Sequence, residues 1–362
     1  MSPAGFDLSS AVPFVAAAVQ DAPVYLDADA TVEKTIGLIA EAAKAGARLV
    51  AFPEAFVPGY PYWNWIRSPL EGSEWFERLY LASIDVPGPH VEKLCAAAAR
   101  HRVNVVIGVN ERSPHSAGTI YNTVLTIADD GRLLGRHRKL VPTWAEKLTW
   151  AGGDGSSLRV LETSVGPLGT LACGENTNPL ARYALLAQGE LLHVANYISL
   201  PVAPPDYDMA EAIRLRAMTH SFEGKVFTIV SCATISEEIV AMLAADDADL
   251  RAMLSREQSA FSGICGPQGR FVGDELIDEA GIVYAEIDLR ECIKPKQMHD
   301  VVGHYNRFDV FRLSLDTRAH EPLELLTDEG QQPARPDPGE SPETAQTRPP
   351  MREGGPDGHP AA

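Results

Sequence analysis

The chain has 362 residues, enough for one large domain with a sizeable core. Apolar residues make up 45% and charged residues 22%, the proportions of a soluble globular protein. With 49 acidic against 31 basic side chains the formal charge is −18, so no nucleic acid and no anionic membrane surface is expected as a partner.

In chain order, the apolar stretch VPFVAAAV (12–19) is too short for a membrane helix. No basic residue precedes Lys34, so it does not make a signal peptide either. Within it, FVAAAVQ (14–20) reads as a buried strand. Val32, Ile36, Ile39, Ala40 and Ala43 then share one helical face, and Gly46 can close that helix. RLVAFPE (48–54) predicts the next strand, followed by a helix at about 90–101 and the strand NVVIGVNE (104–111). TVLTIADDGRLLGRHRK (123–139) predicts a hairpin, because Asp130-Gly131 separates two alternating runs. Further strands are expected at GTLAC (169–173), ELLHVAN (190–196), VFTIVSC (226–232), FSGICG (261–266) and IVYAEID (282–288). Strands alternating with helical patterns, with hairpins added, predict a mixed α/β or α+β layered domain over residues 12–320. From Gly330 onward the composition changes: the last 33 residues hold 8 Pro and 5 Gly and few large apolar side chains. That composition predicts a disordered tail over 330–362.

Cys95, Cys173, Cys232, Cys265 and Cys292 are odd in number and widely spread, with no pair at C-x-x-C spacing. They point to free thiols in a reducing compartment, and a cytoplasmic location is expected. His299 and His304 are five apart, off the i, i+4 spacing, and no HExxH occurs, so no metal site is expected. AGGDGSS (151–157) is glycine-rich but lacks the following Lys of a phosphate loop.

Three stretches place a reactive residue at the end of a predicted strand. Glu54 ends a strand in AFPEAFVPGYPYWNW (51–65); taken alone it reads as a solvated loop residue. Lys139 ends the second hairpin strand in GRHRKL (135–140), where a charged strand edge is the plain reading. Cys173 ends a strand in GTLACGENTNPLAR (169–182), ahead of a helical pattern that starts near Pro179 and runs to Gly189. A cysteine before a helix N-terminus meets unpaired backbone N–H groups and the positive end of the dipole, which favours thiolate. The plain alternative is a small core residue, the role given to the other four cysteines. Tyr60, Tyr62, Trp63 and Trp65 read as packing residues, some of which could line a pocket.

Together the three make a thiol hydrolase without histidine. Glu54 can take the proton of Cys173 as general base, and Lys139 can stabilise charge developing on the substrate. On FPE at Glu54, RKL at Lys139 and C-x-E-N at Cys173, in that order, the sequence resembles the nitrilase branch of the carbon–nitrogen hydrolase superfamily. PEAFVPGYPYWNW, RKLVPTWAEKLTWAGGDGSSL (138–158) and VVGHYNRFDVF (301–311) resemble that branch as well, so the likeness covers about residues 12–315. The resemblance implies a four-layer α-β-β-α sandwich, no cofactor, and self-association through helical faces into a homo-oligomer, a dimer or a spiral filament. It implies hydrolysis of a small-molecule nitrile to acid and ammonia through a thioimidate and a thioester on Cys173, with Glu146 in PTWAEK as a second active-site glutamate. The alternatives are an amidase using the same residues, a cyanide hydratase or dihydratase, and a catalytically silent scaffold. Gly174 departs from the tryptophan usual after the cysteine, which is expected to leave space for aromatic or arylaliphatic nitriles. Phe308 replaces a usual proline in GHYNRFD, a change that bears on packing.

Overall fold

Strand β1 (Phe14–Gln20) is buried along nearly its whole length, which is why it reads as a continuous apolar run rather than an alternation. It belongs to a first sheet with β2 (Ala47–Ala51), β3 (Asn104–Arg112), β4 (Ile120–Ile127), β5 (Leu133–Arg138) and the short β6 (Trp150–Ala151). A second sheet is built from β7 (Leu161–Thr163), β8 (Gly166–Ala172), β9 (Leu192–Tyr197), β10 (Phe227–Cys232), β11 (Phe261–Gly266) and β12 (Arg270–Ile277). The last strand, β13 (Gly281–Ile287), returns to the first sheet. The strand orders are β13-β1-β2-β3-β4-β5, with β6 beside β4, and β12-β11-β10-β9-β8-β7. In each sheet the three central strands are parallel and the flanking ones antiparallel. The computed structural model describes residues 6–323, and those up to His320 form one compact unit. The segment expected to be a tail, 330–362, lies outside the described residues.

Parallel neighbours need crossovers, and helices supply them. Helix α1 (Ala28–Lys44) joins β1 to β2; it starts on an Asp27 cap whose side chain accepts from Ala30 N and is followed by Gly46 at φ 91°. Helices α2 (Trp63–Ile66), α3 (Ser73–Ala82) and α4 (Pro89–His101) lie between β2 and β3. Helix α5 (Pro179–Leu186) joins β8 to β9, and α6 (Met209–Gly224) joins β9 to β10. Residues alternate across each strand, so Val105 and Ile107 pack outward against Ile39 and Leu94 of the helices. Val106, between them, packs inward with Leu49, Leu168, Val194 and Ile229 to fill the space between the sheets. On the far side Ile213 and Ala217 of α6 cover Val230 and Phe261. The layers are helix, sheet, sheet, helix, as the sequence resemblance implied.

Most predicted strands are found within a few residues of their expected bounds. Strand β2 stops at Ala51, three residues short of the expected Glu54, because Pro53 has no N–H to continue the ladder and the chain turns out of the sheet. Strand β12 was not anticipated: it is a largely exposed edge strand with no apolar alternation to reveal it. Among the described residues no helix is long and apolar enough to cross a membrane.

Candidate active site

The two sheets meet where the parallel strands end. Glu54 N donates to Tyr197 O at 3.2 Å, joining the exit of β2 to the end of β9. The carboxyl ends of parallel strands are where an α/β fold presents reactive groups.

Glu54 sits on a segment pressed against β3. Gly108 N donates to Pro53 O at 3.0 Å, Val57 N donates to Gly108 O at 3.2 Å, and Ala55 takes φ 48°. A Cβ at Gly108 would run into Ala55 N and Pro53 O, both backbone atoms that cannot rotate aside. Gly108→Ala is therefore expected to displace Glu54 and to cost about 1–3 kcal/mol of stability. A lowered melting temperature together with reduced ammonia release checks this; wild-type values for both would count against it.

Lys139 follows β5, where Gly153 N donates to its carbonyl and its own N–H donates to Asn122 O. Its side chain is fully buried. Nζ donates to Glu54 Oε1 at 2.8 Å and to Glu146 Oε2 at 2.7 Å. Asn122 Nδ2 adds a third contact, to Glu54 Oε1 at 2.7 Å. Glu146 lies in a short turn where Oε2 also accepts from Thr143 N at 2.6 Å. Its Oε1 accepts from the Tyr60 hydroxyl at 3.1 Å, and that hydroxyl accepts from Trp65 Nε1. Two carboxylates thus share one ammonium in a dry site. Burial raises Glu54, Lys139 lowers it less, and Glu146 pushes it up again, leaving it at about 7. Burial works against the Lys139 charge, but the two glutamates outweigh it and hold the amine firmly protonated. Glu54 Oε2 is buried with no hydrogen-bond partner among the described residues.

Cys173 opens the short turn Cys173–Thr177 that follows β8, with φ 47°. Burial and the Glu54 carboxylate raise its thiol well above the usual range, and Lys139 offsets this only in part. This corrects the thiolate expectation drawn from a helix N-terminus. The α5 N-terminus begins at Pro179 and is capped by the Asn178 side chain, which accepts from Leu180 N and Ala181 N. The thiol rests protonated in a site dominated by carboxylates, so it needs a base.

The predicted residues Glu54, Lys139 and Glu146 are joined by direct contacts, and the charges of all three act on Cys173. Sequence reasoning missed Asn122, and it placed Tyr60 among aromatics read as packing residues, some of which could line a pocket, without giving it a partner. Asn122 is a polar residue in the buried run IYNTVLTI, a signal that a partner waits inside. It also missed Glu175, whose carboxylate accepts from Leu140 N at 2.8 Å and Ala172 N at 2.9 Å and pairs with His137 Nε2 at 3.0 Å. Glu175 thereby ties the segment just after Lys139 to the residue just before Cys173. Every charge of the GRHRK run is spent inside: Arg136 and Arg138 on Glu111, His137 on Glu175, Lys139 on Glu54 and Glu146. The room expected beside Gly174 is taken, since a Cβ there would meet Thr143 Oγ1 at 2.9 Å. Tyr197 packs in the same cluster as Cys173, and its hydroxyl is buried without a partner among the described residues. Arg216 donates from Nε to Thr177 Oγ1 at 2.7 Å, and its Nη1 is buried with no partner among the described residues. Away from these groups, the ligand atoms of Glu190, His193 and His220 lie within 4.8 Å of one another, a spacing a cation could use that the sequence reading did not find.

Residues 15–297 match the sequence model of the carbon–nitrogen hydrolase family. An aliphatic nitrilase of Rhodococcus rhodochrous is 38% identical over 314 residues, 86% of this chain and 84% of the relative. A nitrilase of a Bacillus species is 36% identical over 318 residues, covering 87% and 92%. Among solved structures, a carbon–nitrogen hydrolase from Helicobacter pylori superposes with a TM-score of 0.62 at 21% identity, covering 83% of this chain and 97% of that one. An amidase from a Nesterenkonia species gives 0.55 at 17% identity, covering 79% and 94%. At such identities these structures bear on the fold alone.

Proposed function

The chain belongs to the carbon–nitrogen hydrolase family, and from that membership we propose that it is a nitrilase, hydrolysing organic nitriles to the carboxylic acid and ammonia. The observation that carries the reading is Lys139 clamped between Glu54 and Glu146 beside the Cys173 thiol. It stands in a chain that is 35–38% identical, over most of its length, to proteins named nitrilases.

In this reading Cys173 Sγ attacks the nitrile carbon while its proton passes to Glu54 Oε2, the oxygen that Lys139 and Asn122 leave free. Glu54 passes that proton on to the nitrogen, which makes the adduct a thioimidate and frees the carboxylate, while Lys139 stabilises the charge that builds on the nitrogen. A first water, deprotonated by Glu54, adds to carbon; the tetrahedral species expels ammonia and leaves a thioester. A second water releases the acid and restores the thiol. Two waters are consumed for each nitrile, and thiol, carboxylate and ammonium supply the acid–base cycle without a cofactor. Glu146 holds the ammonium in place and is held in turn by Tyr60 and Thr143. The domain over residues 12–320 carries this activity, in the cytoplasm.

Self-association belongs to the same reading. Leu215, Met218 and Phe222 form an exposed apolar stripe along α6, and Leu180 of α5 is exposed as well. A homo-oligomer would remove such surface from water.

Ammonia release from a panel of aliphatic and arylaliphatic nitriles, beside the matching amides, tests the reaction; faster turnover of the amides would make the protein an amidase. The pH profile tests the base. Glu54 is raised to about 7 and must be unprotonated to accept the thiol proton, so kcat/KM is expected to rise as pH climbs through about 7. A rise centred near the ordinary glutamate value of 4.5 would remove Glu54 from that role.

A further inference from the structure

Glu190, His193 and His220 are buried groups that the proposed reaction does not use. Glu190 precedes β9, His193 lies in β9 and His220 in α6. The carboxylate is divided between the two rings: Oε1 meets His193 Nδ1 at 2.7 Å and Oε2 meets His220 Nε2 at 2.9 Å. Room for it comes from Gly169, where a Cβ would strike Glu190 Oε1.

The other nitrogen of His193, Nε2, lies 2.8 Å from Asn176 Oδ1. The orientation of that amide is settled by its far side. Asn176 Nδ2 donates to Leu171 O at 3.0 Å and to Cys173 O at 3.1 Å, and two carbonyls can only accept. Oδ1 therefore faces His193 and accepts from it. With a carboxylate oxygen at Nδ1 and an amide oxygen at Nε2, His193 is held at both ring nitrogens, and its Nε2 carries the proton donated to Asn176. Burial would raise the Glu190 carboxyl, but His193 and His220 outweigh it and hold it at about 2. Burial first, and then the neighbouring His193, lower His220 to about 4, and its Nδ1 has no hydrogen-bond partner among the described residues.

We propose that His193 is a positioning residue for the nucleophile: clamped by Glu190, it fixes the Asn176 amide, which grips the carbonyls of Leu171 and Cys173 and so holds Cys173 in its left-handed backbone conformation. A non-glycine residue keeps such a backbone only where its surroundings over-determine it. Gripping a carbonyl on either side of Ala172 settles the path of the chain into Cys173 and with it the direction of Sγ. Both carboxylate oxygens are already committed to separate rings, which favours a proton-bearing network over a three-ligand cation site. The inference rests on Cys173 being the nucleophile, so its test includes measurements that need no turnover.

In the full-length protein, the ¹⁵N imidazole spectrum is expected to show a histidine whose Nε2 carries a hydrogen-bonded proton, a signal absent from His193→Leu. An unprotonated Nε2 on His193, or stoichiometric bound metal lost on that substitution, overturns the proposal. His193→Leu and Asn176→Ala are each expected to lower kcat by roughly 10–100-fold with KM little changed, since small misplacements of a reacting group carry such factors. Alkylation of Cys173 by iodoacetamide should change in parallel. The double variant should lose no more than either single one, because both break one relay. His193→Gln, which keeps an N–H donor toward Asn176, should recover part of the rate. Losses that multiply in the double variant, or that follow the folded fraction alone, would reduce the cluster to packing. Should His193→Leu not fold, the wild-type spectrum and the Asn176→Ala kinetics decide. Full activity in Cys173→Ala would instead remove the nucleophile reading and leave the spectrum untouched.

Discussion

Cys173→Ala is expected to abolish nitrile turnover, with a loss of roughly 10⁴-fold or more, while the fold and substrate binding persist. The side chain lost is small, and its hydrogen-bonded surroundings run through backbone carbonyls and Asn176 rather than through sulfur. No other thiol is equipped to replace it. Burial lifts Cys292 to about 12 and Cys265 to about 11, and neither feels Glu54 or Lys139. Cys232 is the informative control: it is buried at the end of β10 and feels the Glu54 charge, but not that of Lys139. Intact-protein mass spectrometry during turnover, followed by peptide mapping, is expected to place the covalent adduct on Cys173. An adduct on Cys232, or undiminished turnover in Cys173→Ala, would overturn the mechanism.

Lys139→Met is expected to be comparably severe for activity and the most damaging single change for stability. It removes the ammonium that Glu54 and Glu146 both contact and leaves two carboxyl groups facing each other without water. Breaking a buried ion pair from one side costs about 3–5 kcal/mol. Glu54, which burial raises, then loses the Lys139 charge that lowers it and holds its proton more tightly than in the unfolded chain. A carboxyl raised on folding contributes stability at low pH that is lost as pH rises through its folded value. The variant should therefore lose melting temperature between pH about 5 and pH about 8 more steeply than the wild type does. Lys139→Arg is not expected to rescue, because a planar guanidinium does not fit a site shaped around a point charge. A wild-type melting curve for Lys139→Met, flat across that pH range, would mean that the ion triad contributes little to stability.

Much of this site was legible in the residues themselves. Apolar runs that stop abruptly marked the ends of β2 and β8, the Asp130-Gly131 turn marked the hairpin that ends in β5, and a reactive residue follows each of the three strands. Glu54, Lys139 and Cys173 stood out for that reason, and the short motifs around them carried the family. The layered architecture followed from the same periodicities, because burial on one or both faces leaves its imprint on every strand and helix of the core. The exposed edge strand β12 carried no such imprint and went unseen.

Partners and protonation states were decided only by the tertiary structure. Lys139 meets Glu54 across 85 positions of sequence, and Asn122 meets it across 68. Cys173 looked like a thiolate from its neighbours along the chain, yet it lies in a dry space among carboxylates contributed by other segments, which keep it a thiol. Gly174 looked like spare room until the loop carrying Thr143 closed over it. His193 looked like one residue of a strand until Asn176 and Glu190 took one ring nitrogen each. Periodicity records whether a side chain faces water or core, a property of its own neighbourhood in the chain. Charge and hydrogen bonding depend on which distant segments the two sheets bring within 3 Å of each other, and that is settled by strand order and register.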